Sequence, residues 1–551
     1  MYECPNCAGN LKFDIARQQL YCDYCGTQAD PYSFHKEKDA KEESPGEYEA
    51  TIFTCPQCGG EIVSEDTTAA TFCSFCGAST VLDSRISKKR RPGYIVPFTR
   101  TKEDCRAAYG KMLRRAIFAP KELKDGDLIE KFRGIYMPYW VYSFEKKEKI
   151  TFPGKKTRRR GDYLITDHYM LDCEVEEAYQ GLAYDASSTF SDSLSDAIAP
   201  FDLKQGKAFT PSFLSGFYAD TNDVEKYTYW SEAEDIVLWD ACRSLAQDRV
   251  CRKYHAGQGE EEYLLRNALR PSDKTAELAM LPVWFLSYRN GDRVSYAVVN
   301  GQTGRAAADL PVDGKKYVAG SFLLAIPLFF LLNLFLTITP GKILVIAAVL
   351  AFLCILISNR QISRILDRES GADDKGLASV RSGLGMGNSG WQRRKPVWDS
   401  WSGGIGKVFL MLLLFQITAL VPALLAPVIS GMGRGSLVVL YIMIVLLLVF
   451  GMNPVLSAFS GRRRKKNAGR KNFGGGYFRE KIPVLIKPFA GMVLAAFILI
   501  IDPVSDWFYY IGAFVCMGTV LWAIMDMIKQ HNMLATRKLP QLNRRGGDEI
   551  G

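Results

Sequence analysis

Eight cysteines fall into two tetrads written to one pattern. Cys4, Cys7, Cys22 and Cys25 map onto Cys55, Cys58, Cys73 and Cys76 with a constant offset of 51 residues. Each tetrad is a pair of Cys-x-x-Cys knuckles trailed by small residues: Cys4-Pro-Asn-Cys-Ala-Gly with Cys22-Asp-Tyr-Cys-Gly, and Cys55-Pro-Gln-Cys-Gly-Gly with Cys73-Ser-Phe-Cys-Gly. Fourteen residues separate the knuckles, enough for a short hairpin that brings them face to face. Four thiolates at that spacing make a closed tetrahedral site for Zn²⁺, with Zn–S near ~2.3 Å and no position left for a reacting water. The metal then folds the unit, with a binding free energy on the order of 10 kcal/mol.

The competing chemistry of cysteine pairs fits less well. Disulfides belong to oxidising compartments. A thioredoxin-type centre uses one Cys-x-x-Cys in a βαβ setting rather than four knuckles punctuated by glycine. The start, Met1-Tyr-Glu-Cys, has neither a basic stretch nor an apolar h-region, which predicts that the ribbons stay in the cytosol.

The whole chain carries a formal charge of +10, which invites a nucleic-acid partner. Its distribution argues against one at the ribbons. Met1 to Ser87 holds six Lys/Arg against fourteen Asp/Glu. A sequence-independent nucleic-acid binder needs a basic stripe to displace counterions from phosphates. This segment has the opposite sign, and two filled sites would make it more acidic still.

With 551 residues the chain exceeds a single ordinary core. The boundaries read as follows: zinc ribbon 1 over 1–29, a linker over 30–50, zinc ribbon 2 over 51–84, and a cytosolic α+β domain over 92–316. Asp30 to Ala50, rich in Lys, Glu, Asp and Ser, predicts a solvated linker or short helix. Lys88-Lys-Arg-Arg91, after the second ribbon and closed by Pro92-Gly93, reads as a solvated charge run.

In the α+β domain, Thr101 to Phe118 has helical apolar spacing closed by Pro120, and Ser231 to Tyr254 a second helix with Ser231 as its cap. Ile135 to Phe144 and Leu281 to Tyr288 are buried strands sharing a Pro-x-Trp-x-x-Ser-aromatic pattern, which suggests two related sheet halves. Val294 to Val299 alternates as a further strand. Asp167-His168 and the helix-spaced Cys251 and His255 come nearest to a catalytic set, and local packing accounts for both. No nucleotide-binding loop, Gly-x-Ser-x-Gly or His-Glu-x-x-His occurs, so the expectation is that the chain is not an enzyme. Cys105, Cys173, Cys242, Cys354 and Cys516 lack partners at ligand spacing and read as free thiols.

From Tyr317 the chain alternates apolar runs with Lys/Arg clusters. Three transmembrane hairpins are expected, at 317–360, 407–452 and 488–528, giving about six spans. Basic cytosolic segments lie between and after them, at 361–406 (rich in Gly and Ser), 453–487 and 529–551. The hairpin turns hold only Lys342 and Arg434, so the positive-inside rule predicts a multi-pass membrane protein with both termini cytoplasmic. The basic excess then serves topology and contact with membrane lipid. No ionisable residue is expected at the centre of a span, which leaves a transporter without support.

Paired ribbons followed by Tyr94-Ile-Val-Pro-Phe98, Gly134-Ile-Tyr-Met-Pro-Tyr-Trp140, Leu281-Pro-Val-Trp284 and Asn300-Gly-Gln-Thr-Gly304 resemble a bacterial family of zinc-ribbon membrane proteins. Its members are labelled TFIIB-type zinc-ribbon or, through the ribbon alone, primosomal helicase-like. The resemblance covers Met1 to Tyr317, and all eight tetrad cysteines match its ligand positions; Cys-Ala-Gly in the first knuckle departs from the usual Cys-Gly-Gly. Related proteins are associated with flotillin-like and phage-shock-type membrane-stress modules, which implies an adaptor role.

The expectation is therefore a multidomain protein: two rubredoxin-like four-cysteine zinc ribbons holding two structural Zn²⁺, an α+β domain, and a helical membrane domain. Its function reads as a membrane-anchored adaptor binding a cytosolic or peripheral membrane protein. The alternative is a membrane-tethered nucleic-acid-binding regulator using Lys88 to Arg91 and Lys155 to Arg160.

Overall fold

A computed structural model describes residues 2–34, 47–64, 73–78, 83–255, 262–335, 340–369, 371–383, 475–501 and 503–538. They divide into two units. The first comprises Met1–Leu310, Glu369–Gly387 and Thr536–Gly551, the second Pro311–Arg368 and Asn388–Ala535.

The first unit is organised by two long strands, β8 (Arg133–Arg160) and β12 (Asp273–Asn290), which pair antiparallel from Arg133↔Phe285 to Glu145↔Asp273. Both Pro-x-Trp segments lie on this ladder, so the two sheet halves suggested by the sequence are direct neighbours. The strands read as nearly continuous apolar runs because both faces are covered. Ile135, Met137, Tyr139, Leu281, Val283 and Phe285 point into one core; Tyr136, Met280, Trp284 and Leu286 point into the opposite one.

Around this ladder the sheet runs β10 (Lys207–Ala208), β7 (Tyr94–Ile95), β12, β8, β11 (Tyr218–Asp220), β5 (Glu61–Ser64), β4 (Glu47–Thr54) and β6 (Asp83–Arg90). Strand β13 (Arg293–Asn300) adds to β12 and carries β14 (Ala306–Ala308) and β15 (Arg537–Lys538); β9 (Tyr163–Asp185) adds to β8. Strands β1 (Leu11–Asp14), β2 (Gln19–Cys22) and β3 (Gln28–Ala29) form a separate small sheet.

Several expectations shift. Helix α1 (Lys102–Arg115) starts where predicted, with a reciprocal capping box between Thr101 and Asp104. Helix α2 (Asp192–Ile198) packs Leu194 and Ile198 into the core. Helix α3 (Trp230–Gln247) begins one residue before the expected cap, so Ser231 is helical and Tyr229 takes the N-cap without a side-chain bond. Asp248 then caps a separate turn, Arg249–Lys253, where one continuous helix was expected. Glu47 to Ala50, expected as linker, begins β4, and Lys88, Lys89 and Arg90 pair with it in β6. Strand β8 runs far beyond Phe144, because Lys147 pairs with Glu176 and Thr151 hydrogen-bonds Asp172 across the hairpin, and helices α3 and α4 (Glu262–Ala268) cover one face through Leu238, Ala241 and Leu265 against Phe152.

The second unit is helical: α5 (Gly314–Phe335), α6 (Pro340–Glu369), α8 (Gly475–Ile501) and α9 (Asp506–Leu534), with α7 (Lys375–Gly383) belonging to the first unit. Small residues allow close packing: Ala347, Ala348 and Ala351 of α6 meet Ala495 and Ala496 of α8 and Ala513 and Ala523 of α9. Gly512 of α9 lies directly against the Ile498 side chain. Pro340 opens α6 at a position where a missing N–H costs nothing, so the expected Thr339-Pro-Gly-Lys342 turn is partly the helix start.

Three helical segments are long and apolar enough to cross a membrane: Gly314–Leu331, Pro340–Glu369 and Asp506–Leu534. A shorter apolar stretch spans Ile486–Leu499. The described residues thus support three spans rather than six; the second expected hairpin, 407–452, lies outside them. An ion pair missed by the sequence reading joins Lys487 of α8 to Asp526 of α9 at 2.7 Å, with the Lys487 ammonium 4.1 Å from the centre of the Trp522 ring.

Candidate metal centres

The four knuckles share one backbone geometry. The first cysteine of each donates its N–H to the carbonyl five residues on (Gly9, Thr27, Gly60, Ala78) and accepts from the N–H four residues on (Ala8, Gly26, Gly59, Gly77), all at 2.7–3.0 Å. The closing residue of that turn needs a left-handed backbone. Gly26, Gly59 and Gly77 adopt φ of 75°, 71° and 69°, and Ala8 takes 56°. The cysteine side chains converge as a result.

In each tetrad all four sulfurs lie within 4.8 Å of one another. Across the first, Cys4 to Cys25 is 3.4 Å and Cys7 to Cys22 is 3.5 Å; across the second, Cys55 to Cys76 is 3.8 Å and Cys58 to Cys73 is 3.7 Å. A tetrahedron with Zn–S of ~2.3 Å has an S–S edge of about 3.8 Å. The second tetrad matches this edge, and the first is slightly tighter. Four thiols this close cannot all ionise alone: Cys55 is driven well below the ordinary thiol range by its hydrogen bonds with Cys58, Cys73 and Cys76, and Cys58 is driven well above it by the bond with Cys55. A divalent cation at the centre removes that conflict. Cys4, Cys7, Cys22, Cys25, Cys55, Cys58, Cys73 and Cys76 would hold two such ions.

The two sites differ in their surroundings. In the first, Cys4 and Cys22 are buried while Cys7 and Cys25 are exposed. Leu11, Phe13 and Leu20 dock that ribbon on the main core, the Phe13 ring packing tilted against Phe213 at 5.2 Å, and the opposite knuckle presents Tyr24, 82% exposed. In the second, all four cysteines are buried. Its strands β4 and β5 belong to the large sheet, β5 pairing with β11 through Ile62↔Asp220 to Ser64↔Tyr218. Phe75, between Cys73 and Cys76, packs edge-on against Phe285 at 6.2 Å, and its carbonyl accepts the Tyr296 hydroxyl at 2.9 Å. The cysteine spacing announces neither Phe285 nor Tyr296, and although each tetrad shows an aromatic inside its second knuckle, Tyr24 and Phe75, the sequence does not say that the first is exposed and the second buried.

Other sequence candidates stay apart. Asp167 pairs with Arg158 at 3.4 Å, and His168 is exposed. Cys251 is buried with its thiol pushed up to about 11 by burial, His255 is exposed, and His35 lies outside the described residues. An acidic group leaves no sequence signal: buried Asp185 and Asp374 beside half-buried Asp192, with Tyr229 donating to Asp192 at 2.6 Å and the Lys375 N–H to its other oxygen at 2.8 Å. Burial and then the Asp192 charge raise Asp374 to about 7 and hold Asp185 well above the carboxylate range. Among the described residues, only the two cysteine tetrads bring three or more metal-ligating groups together.

These features define a class: a multidomain protein with two four-cysteine clusters on a sheet-rich unit and a few membrane-length helices in a second unit. By sequence the chain is 27% identical over 324 residues to "Uncharacterized protein YdjG" of Bacillus subtilis (strain 168), a match covering 58% of this chain and 92% of that protein. No family model and no solved structure matches.

Proposed function

We propose that this is a non-enzymatic, membrane-anchored adaptor in which two structural zinc ions shape a cytosolic protein-binding surface. The observation that carries the reading is Tyr24, an 82% exposed aromatic held at the rim of a closed metal site whose other face is docked on the core. A rigid, amphipathic aromatic on a preorganised turn is what protein interfaces use as an anchor. Four thiolate ligands per ion leave no open coordination position, which fits shape rather than chemistry. The ribbon's acidic balance favours a basic protein partner over phosphate.

The zinc-ribbon resemblance is of the TFIIB-type in its knuckles, and a multi-pass anchor with about six spans and both termini cytoplasmic fits the loop charges. Segment membership adds support. Residues up to Leu310, the segment Glu369–Gly387 and the segment from Thr536 all belong to the soluble unit. Val380 joins the core of Trp140, Tyr142 and Phe144, and Arg537–Lys538 pair with β13. An even number of crossings between these points is the simplest way to keep them together.

The test is site-specific photocrosslinking in cells with a photoreactive residue at position 24. The reading expects one discrete protein adduct, lost when Cys22→Ser opens the ribbon and retained when the photoreactive group's neighbour Asp23 is replaced by Asn. Diffuse labelling, or adducts to nucleic acid, would count against it.

A further inference from the structure

The β8–β9 hairpin continues well past the sheet that it starts in. Its outer pairs run from Lys155↔His168 to Arg160↔Tyr163, closed by a turn in which Gly161 takes φ 63°. The strand end Lys155-Lys-Thr-Arg-Arg-Arg160 is exposed from Lys156 onward. Directly across the turn stand Tyr163, 78% exposed, and Leu164, 74% exposed, with Met170 at 68% further down the same strand.

Five cations between residues 155 and 168 face two carboxylates, Asp162 and Asp167, leaving a local excess of +3. Among the described ion pairs, only Arg158 is engaged by a carboxylate, Asp167 at 3.4 Å. Arg159 spends its Nε–H on the Gly161 carbonyl at 3.0 Å, which ties the cationic strand to the turn. The tip therefore combines unneutralised charge with an exposed aromatic and exposed aliphatic groups on a narrow two-stranded finger. Charge alone is a solvated face; charge joined to an exposed Tyr and Leu at one turn is costly in water and matched to a headgroup boundary.

We propose that this tip docks on an anionic lipid surface, its guanidinium and ammonium groups on lipid phosphates and Tyr163 and Leu164 in the interfacial layer. Phosphate of nucleic acid offers the same charge, but a phosphate backbone makes no use of Leu164 and Met170. The same chain carries helices long and apolar enough to cross a membrane. The inference does not depend on the adaptor reading: a partner protein at Tyr24 and lipid at the hairpin tip are separate surfaces.

The full chain is reconstituted in zwitterionic nanodiscs and mixed with phosphatidylglycerol vesicles, phosphatidylcholine vesicles, or a DNA duplex. Flotation with the anionic vesicles is expected, falling at least about tenfold in R158E/R159E/R160E and severalfold in Y163A/L164A. Amide exchange in 155–170 is expected to slow in anionic nanodiscs and to stay unchanged in zwitterionic ones, which separates this tip from the chain's other basic segments. Unchanged far-UV circular dichroism and zinc content verify that the variants fold. Equal flotation of wild type and the triple variant would overturn the proposal, as would exchange at 155–170 that ignores lipid charge. Protection of that segment by the duplex but not by anionic lipid would also overturn it, in favour of nucleic acid.

Discussion

The Tyr296 hydroxyl donates to the Phe75 carbonyl at 2.9 Å, joining strand β13 of the main sheet to the last knuckle of the second ribbon. Both groups are buried, so the bond is made where water cannot replace it. Tyr296→Phe leaves the Phe75 carbonyl without that donor and should cost roughly 1–2 kcal/mol. Thermal unfolding of the full chain checks this: a drop in midpoint is expected, together with faster zinc loss from the second site.

The two metal sites should differ in exchange. Cys7 and Cys25 are open to solvent in the first, while the second has no exposed sulfur. A competing chelator with a colorimetric readout should therefore release metal in two phases of similar amplitude. Cys22→Ser should abolish the fast phase and keep the slow one. A single phase in the wild type would mean that burial does not govern release.

Ala8 sits at φ 56°, in the turn position that glycine fills in the other three knuckles. The left-handed region costs an L-residue about 1 kcal/mol relative to glycine. Ala8→Gly should slow metal release from the first site and stabilise that ribbon by about that amount. Gly26→Ala should act in the opposite sense, since its new Cβ would meet nothing closer than the Tyr21 hydroxyl at 3.9 Å and the loss would be conformational.

Asp374 gives a pH dependence whose sign follows from its raised value. Burial, and then the charges of Asp192 and Asp373, lift it to about 7, against an ordinary value of 3.8; the Leu377 N–H and Arg537 pull the other way. The folded state therefore holds a proton that the unfolded chain gives up above about pH 4. Stability carried by this group is complete below the unfolded value and falls as pH rises through about 7. Asp374→Asn keeps an oxygen for the Leu377 N–H, accepted at 2.8 Å in the wild type, and removes the titration. It should raise stability at pH 8 by on the order of 2 kcal/mol and change little at pH 4, as read by melting curves at the two pH values.

How much of this was legible in the chain depends on how local the cause is. Metal-ligand spacing is local, and both tetrads close as the offsets require. The apolar runs around Trp140 and Trp284 announce strands, and both indoles find backbone acceptors, Val224 at 2.8 Å and Arg100 at 3.0 Å. Their mutual pairing is long-range and left no local mark. The outer half of β8 left no strand signal because its exposed face carries Lys147, Lys149 and Thr151, whose partners Glu176, Glu174 and Asp172 lie on β9. Ribbon 2 looked freestanding because its attachment to the sheet runs through β11, far along the chain. The Lys487–Asp526 pair leaves no local signal, because the two residues lie 39 positions apart on different helices.

Metal content of the full chain, purified without added zinc and with its thiols kept reduced, tests the central claim most directly. The account predicts two zinc ions per chain, one in Cys22→Ser and one in Cys73→Ser, with the Cys73→Ser variant also losing the cooperative melt of the sheet that its ribbon belongs to. A wild-type chain with no bound zinc, or with the same content in both variants as in the wild type, would contradict it.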